Sequence, residues 1–163
     1  MASGKQHDNA TCFWCLPFCL FLSLIAGLAN GLIGGLAFAI GGLWLSPDLD
    51  TRSKALKRWG PFKGLWWPYR KLIPHRSLFS HGPLIGTGLR LVYLMSWTAL
   101  LLMLLQPFGF PTLVSVTKVF KEQVGLNLQP ILSLLLGLEA SAWLHLILDR
   151  DPLPAEWHRW RHR

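Results

Sequence analysis

The sequence predicts an all-α protein: an up-and-down four-helix bundle that crosses a membrane and forms a single domain over residues 1–163. Two observations lead to this prediction. Apolar residues make up 52% of the chain and charged residues only 15%, whereas about a quarter of the residues in a typical soluble protein are charged. The apolar residues also lie in long runs and lack the alternation that is typical of half-buried β-strands.

The first apolar run is long enough for two helices. Residues 11–45 carry no charge, and one helix of this length would reach roughly 50 Å, against about 30 Å for the core of a bilayer. We expect a turn at residues 27–31, because Asn and Gly accept the left-handed backbone that ends helices. Pro47 then ends the second helix, whose glycines permit close packing between helices.

Two further apolar helices follow a basic, Trp-rich loop at residues 51–76. The third helix is expected at residues 81–106 and is interrupted only by Arg90. The fourth is expected at residues 126–148 and contains Glu139. An ionisable group inside such a helix is costly, so it is usually paired or functional. We expect Glu139 either to pair with Arg90 or to support a polar site.

Four polar clusters fall at the same end of this bundle. Helices that alternate in direction place the starts of the first and third, and the ends of the second and fourth, on one face. Imidazole and carboxylate groups at these positions are ligands of divalent ions such as zinc. A lone His near a helix end is more often a cap or a packed polar residue than a ligand, and Asp48 and Asp50 alone fit a turn or a cap. Together they predict a metal site, with the candidate ligands His7, Asp48, Asp50, His75, His81, His145 and Asp149.

Basic residues indicate the orientation of the bundle. The chain has a net charge of +8, and the loop at residues 51–76 carries bases but no acid. The loop bases lie at the end that holds the His and Asp clusters, whereas Lys118 and Lys121 lie opposite. The positive-inside bias therefore predicts a multi-pass protein of the inner membrane whose metal site faces the cytoplasm. Nucleic acid as a partner of the bases is not our first choice, because the apolar runs favour membrane lipid.

The polar motifs resemble those of a bacterial family of predicted metal-binding proteins. That family is similar to membrane-associated metal-dependent hydrolases linked to LexA regulation, which distantly resemble zinc phospholipase C and P1-type nucleases. The motifs that carry the resemblance are Ser3-Gly4-x-x-His7-Asp8, Ser46-Pro47-Asp48-Leu49-Asp50, Arg58-Trp59-Gly60, Trp67-x-Tyr69-Arg70, His75-Arg76-Ser77-x-x-Ser80-His81-Gly82-Pro83 and His145-x-x-x-Asp149.

The resemblance implies a metal-dependent hydrolase of phosphoesters, with one or two divalent ions. Zinc is the expected metal. Asp48 or Asp50 would bridge metals or act as the general base, and Arg76 would neutralise a phosphate. The main alternative is a non-enzymatic membrane protein in which the ion ties the helix ends together. A soluble helical domain is a further alternative, although helices without a polar face argue against it.

Overall fold

The computed structural model describes residues 2–150, and all regular secondary structure within this range is helical. Three 3-10 segments also occur, at Pro47–Asp50, Gly60–Trp66 and Gln106–Phe108. The prediction of an all-α fold is confirmed. In chain order the helices are α1 (Gly4–Ala26), α2 (Leu28–Leu43), α3 (Lys54–Arg58), α4 (Trp67–Leu72), α5 (Leu78–His81), α6 (Ile85–Leu105), α7 (Leu113–Leu126) and α8 (Gln129–Leu148).

Among residues 2–150, four helical segments are long and apolar enough to cross a membrane: α1, α6, α8, and α2 together with the 3-10 turn that follows it. Most of the residues in α1 and α6 are not buried inside the protein. An apolar surface of this extent is stable in lipid but costly in water. The four expected spans are therefore present, each close to its predicted position.

Helix α1 begins at Gly4, before the uncharged run at residue 11 from which the first helix was predicted. Ser3 and Gln6 form a capping box, in which the Ser3 hydroxyl accepts from the Gln6 backbone N–H at 3.4 Å and the Gln6 carbonyl Oε1 accepts from the Ser3 N–H at 2.6 Å. This pairing satisfies N–H groups at the helix start. As a result, His7 and Asp8 do not precede the first helix but lie inside its first two turns.

The turn between α1 and α2 is shorter than the expected segment at residues 27–31. Gly27 alone makes it, with a φ of 87° that favours glycine. Asn30 lies inside α2, where its side-chain amide donates to the Ala26 carbonyl at 2.8 Å and to Gln129 Oε1 at 3.1 Å. The polar side chain thus joins the ends of three helices and does not form a turn.

Helix α2 packs against both α1 and α8, and small residues bring the backbones together. A methyl group added at Gly41 would overlap Ser141 of α8, and one added at Gly42 would overlap Thr11 of α1. Close backbone approach through small residues is typical of helix packing in lipid. Helix α6 stands to the side and packs mainly against α5.

The segment at residues 51–76 is folded onto the end of α2. Two of its side chains cap this helix: Arg58 Nη1 donates to the Leu43 carbonyl at 2.9 Å, and Trp59 Nε1 donates to the Trp44 carbonyl at 2.9 Å. Both satisfy carbonyl groups that a helix end leaves free. The segment also supplies most of a buried apolar cluster, which consists of Leu49, Ala55, Leu56, Trp66 and Tyr69.

Arg90 and Glu139 do not form the ion pair that was one of the two expectations. Buried Arg90 donates to the Ser80 carbonyl at 2.8 Å and to Thr87 Oγ1 at 3.1 Å. Glu139 Oε1 accepts from the backbone N–H of Leu84 at 2.8 Å, at the start of α6. Each charged group therefore satisfies backbone groups around the turn that joins α5 to α6.

Candidate metal centre

Side chains from four separate parts of the chain meet at one end of the long helices. They come from the start of α1, the 3-10 turn after α2, the segment around α5 and the end of α8. The convergence inferred from the alternating helix directions is thus present in the structure. The residues that meet are His7, Asp48, Asp50, His75, His81, His145 and Asp149.

Asp48 lies at the centre of this cluster, between two imidazoles. Its Oδ1 atom is 3.6 Å from His81 Nε2 and 3.5 Å from His145 Nε2. Both Nε2 atoms are buried and make no hydrogen bond with any residue of the described range 2–150. A buried polar atom without a partner is costly and requires an explanation, such as an ion that binds there. The three donor atoms lie close enough together to share one ion.

The Ser80 hydroxyl indicates which nitrogen of His81 carries the proton. Ser80 Oγ is within donating distance of the Pro74 carbonyl at 3.2 Å and the Ser77 carbonyl at 3.3 Å, and it lies 2.9 Å from His81 Nδ1. A hydroxyl has only one proton, and we assign that of Ser80 to a hydrogen bond with one of these carbonyls. His81 Nδ1 then carries a proton and donates it to Ser80 Oγ. The Nε2 atom then keeps its lone pair, as a metal ligand requires.

Ser46 holds the imidazole of His145 in a comparable way. Its hydroxyl lies 3.4 Å from His145 Nδ1 and also accepts from the backbone N–H of Asp48 at 3.4 Å. The same serine caps the 3-10 turn that presents Asp48. One hydroxyl thereby fixes the relative positions of two of the central groups.

A first His–Asp pair flanks the centre on the side of α1. His7 Nε2 and Asp149 Oδ1 lie 3.1 Å apart, and the same oxygen accepts from the Ala2 backbone N–H at 3.1 Å. Asp149 Oδ2 is 3.6 Å from His145 Nε2, as expected for residues one helical turn apart. The His7 ring also stacks on the His145 ring with centroids 4.0 Å apart. This pair therefore joins the two ends of the described chain.

A second His–Asp pair flanks the centre on the opposite side. His75 Nδ1 lies 3.0 Å and 3.1 Å from the two carboxylate oxygens of Asp50. The Asp50 side chain is fully buried, whereas that of His75 is 42% exposed. Tyr69 lies close enough to this pair for the charge of Asp50 to affect its hydroxyl. Burial raises the pKa of Tyr69, Asp50 adds to the rise and Arg90 opposes it, so Tyr69 stays a neutral phenol at neutral pH.

Three overlapping groups of donors within residues 2–150 fit a divalent ion, and in each group the donor atoms lie within 4.8 Å of one another. The groups share His81 and His145, so they compete for the same nitrogen lone pairs. The central group fits best, because its two Nε2 atoms lack partners while the flanking pairs are already hydrogen bonded. The three groups are His7–His145–Asp149, Asp48–His81–His145 and Asp50–His75–His81.

A polar pocket of about 330 Å³ opens next to these groups. Its lining includes His7, Asp48 and His75, together with the Lys54 side chain. Cavities of roughly 300–1,000 Å³ are typical of small-molecule sites. The pocket therefore gives a small polar ligand access to the central carboxylate.

Two charged residues lie near the centre in the sequence motifs but are not among the three donor groups. Asp8 lines the polar pocket, but its carboxylate pairs with Arg58 at 2.6 Å and with Lys54 at 3.5 Å. Arg76 directly follows His75 in the chain and has a left-handed φ of 59°. It is half-buried and does not line the polar pocket as the structure describes it. Its expected contact with phosphate stays a prediction. His158 and His162 lie outside the described residues.

Neither Ser46 nor Ser80 was among the candidate site residues, although both lie inside the polar motifs of the sequence. Ser46 directly precedes Pro47, which is the position of a capping serine. Ser80 directly precedes His81 in a segment rich in serine. The first spacing indicates a cap, but neither shows which imidazole the hydroxyl contacts.

Comparison with known proteins relates nearly the whole chain to a metal-binding family. A family model described as "Uncharacterized metal-binding protein (DUF2227)" matches residues 2–161. A curated "Uncharacterized protein" of Aquifex aeolicus (strain VF5) is 41% identical over 61 residues, which are 37% of this chain and 43% of that protein. The aligned part thus spans less than half of that relative. No solved structure matches significantly. The expected resemblance to a metal-binding family is confirmed, and the similarity to the LexA-linked hydrolases, phospholipase C and nucleases stays a prediction.

Proposed function

The chain belongs to the family of uncharacterized metal-binding proteins (DUF2227), and from this premise we propose that it is a metal-dependent hydrolase of phosphoesters. The observation that carries the proposal is the central group. His81 Nε2 and His145 Nε2 are buried, have no hydrogen-bond partner among residues 2–150 and face one oxygen of Asp48. An ion bound there would satisfy all three donors, and the polar pocket beside it leaves room for water and a substrate.

Zinc is the proposed ion, because two imidazoles and a carboxylate form a donor set that it commonly takes in catalytic sites. When bound, a divalent ion supplies Lewis acidity that polarises a phosphoryl oxygen and lowers the pKa of water. The other chemistry comes from the chain itself. Ser80 and Ser46 orient the two imidazoles, and Asp50 with His75 forms a hydrogen-bonded pair suited to accept a proton at the exposed imidazole.

The Lys54 side chain in the pocket wall provides positive charge for an anionic substrate. We propose that the pocket faces the cytoplasm, because the bases of residues 51–76 lie at the same end of the bundle. The protein would then act on a phosphoester at the cytoplasmic surface of a bacterial inner membrane.

The experiment that tests this function compares metal content with hydrolysis. The wild-type protein, purified in detergent, should contain zinc by elemental analysis and should hydrolyse at least one member of a panel of phosphomonoesters and phosphodiesters. His81→Gln should lower both, and Glu122→Gln should lower neither, since exposed Glu122 lies in α7 and belongs neither to the pocket lining nor to the donor groups. A protein that binds zinc but hydrolyses no phosphoester would contradict the hydrolase proposal.

A structural ion is the second candidate function. The cluster joins the first turns of α1 to the end of α8 through His7 and Asp149, which is where an ion could tie the helices. In that case, removal of zinc by a chelator should lower the thermal stability of the wild-type protein strongly, because metal binding is then part of the folding free energy. A catalytic ion with an open coordination position should lower it only modestly.

A further inference from the structure

An apolar groove runs along the outside of the bundle, between α1 and α8. Its volume is about 680 Å³, which lies within the roughly 300–1,000 Å³ of ligand sites. Trp14, Pro17 and Phe21 form one wall. Trp143 and Ile147 form the other, and Phe38 of α2 lies between them. The lining is almost entirely apolar, so the groove suits a hydrocarbon and no polar ligand.

The groove extends along α1 and α8 towards the candidate metal centre. On α8, Ile147 lies between His145 and Asp149 in the chain, so the groove wall and the cluster share a helical turn. On α1, Trp14 follows His7 by about two turns, or roughly 10 Å along the helix axis. Beyond the groove, the contact between His7 and Asp149 joins the same two helices. An amphiphile in the groove would thus have its polar end beside the cluster.

The surroundings of the groove match those of a membrane lipid. Both walls belong to helices that are apolar and long enough to cross a bilayer, so the groove opens towards acyl chains. Trp14 and Trp143 flank it, and tryptophan is enriched at the headgroup level. Exposed Lys5 and Arg150 lie at the same end as the cluster and provide positive charge, which complements a phosphate group.

We propose that the groove holds one hydrocarbon chain of a phosphate-bearing membrane lipid and that this lipid is the substrate class of the centre. The proposal rests on the proposed function and adds that the phosphate of the substrate is attached to a lipid. The chain provides binding energy along α1 and α8, and the phosphate reaches the polar end near His7 and His145. A second protein copy is a poorer fit, because an apolar lining with the exposed bases Lys5 and Arg150 towards one end matches an amphiphile.

Binding measurements with two alkyl phosphates test the proposal. The hydrocarbon chain of hexadecyl phosphate is long enough to fill the groove, whereas that of ethyl phosphate is too short. Binding of each to the zinc-loaded protein in maltoside detergent is measured by calorimetry for the wild type, Ala140→Phe and Ala99→Phe. Ala140 lines the groove. Ala99 on α6 has a similar half-buried environment, does not line the groove and provides the matched control.

We expect the wild type and Ala99→Phe to bind hexadecyl phosphate at least about tenfold more tightly than Ala140→Phe does, a difference of about 1.4 kcal/mol. Ethyl phosphate should bind equally to all three. If Ala140→Phe fails to fold, as judged by its thermal unfolding, Leu144→Trp fills the same groove from the same helix.

Hexadecanol separates a substrate site from a groove that any lipid chain fills. The proposal expects hexadecanol to bind the zinc-loaded wild type much more weakly than hexadecyl phosphate does. Equal binding of the two, or equal binding of hexadecyl phosphate to all variants, would overturn it while the hydrolase function stands. If the zinc-loaded wild type binds neither phosphate, the proposed function itself fails, and this inference fails with it.

Discussion

Gly137 of α8 lies directly against the backbone of Gly34 in α2. A methyl group added at Gly137 would overlap the Gly34 carbonyl oxygen and would also lie 2.9 Å from the Ala37 methyl group. No side-chain rotation can relieve an overlap with backbone, so the two helices would have to move apart. Since Asp48 follows α2 and His145 belongs to α8, this contact also sets the separation of two central groups of the candidate metal centre.

Gly137→Ala should therefore lower both stability and metal binding. Overpacking of a close contact costs about 1–3 kcal/mol, and we expect a loss of this size in the free energy of unfolding, measured by denaturant titration in detergent. Gly88→Ala on α6 is the control, because an added methyl group meets no atom within 4 Å. A Gly137→Ala protein as stable as Gly88→Ala would show that α2 and α8 are not in backbone contact.

Asp48→Asn should remove most of the bound metal while the protein stays folded. Asn has the size of Asp but lacks the anionic oxygen that faces His81 and His145. Asn and Asp are near-equal residues in turns and caps, so a residue that only shaped the turn would tolerate the change. We expect a loss of at least about tenfold in zinc affinity, or about 1.4 kcal/mol, measured by competition with a zinc chelator. Unchanged affinity would exclude Asp48 as a ligand.

Asp50→Asn separates the flanking pair from the central group. Asp50 is hydrogen bonded to His75 and lies 3.6 Å from His81 Nδ1. If it acts as a ligand, zinc content should fall as far as in Asp48→Asn. If it only holds His75 and His81 in place, zinc content should fall less, and any hydrolytic rate should fall more than the metal content does. Elemental analysis and rate measurements on the same preparation distinguish these results.

Ser80→Ala should weaken metal binding without abolishing it. The change removes the oxygen to which His81 Nδ1 donates, so the ring loses its fixed tautomer and orientation. Loss of such an outer partner typically costs about 10–100-fold in metal affinity. Ser96→Ala is the control, since that exposed hydroxyl donates only to the Val92 carbonyl within its own helix. Equal affinity in both variants would mean that Ser80 does not orient His81.

Reporter fusions should reveal the orientation of the bundle. A reporter fused after Arg163 should lie in the cytoplasm, and one inserted near Lys118 in α7 should lie on the opposite side, from the distribution of bases. Alkaline phosphatase and green fluorescent protein fusions in bacteria measure the two sides. Cytoplasmic signals from both positions, or a reversed pattern, would contradict the predicted four-span topology.

The sequence alone determined the number of long helices and the end at which the polar clusters meet. Uncharged runs leave few alternatives to membrane-length helices, and alternating directions place His7, Asp48, His81 and His145 on one face. The start of α1 could also have been predicted from the sequence, because Ser3 and Gln6 have the spacing of a capping box.

Tertiary structure alone decided the contacts that depend on distance and angle. Spacing cannot show that two Nε2 atoms face one Asp48 oxygen, because this geometry depends on how closely Gly34 and Gly137 bring α2 and α8 together. Nor can it show whether Arg90 pairs with Glu139. A charged group takes the partners that packing places within about 3 Å, and here these were the Ser80 carbonyl and the Leu84 N–H.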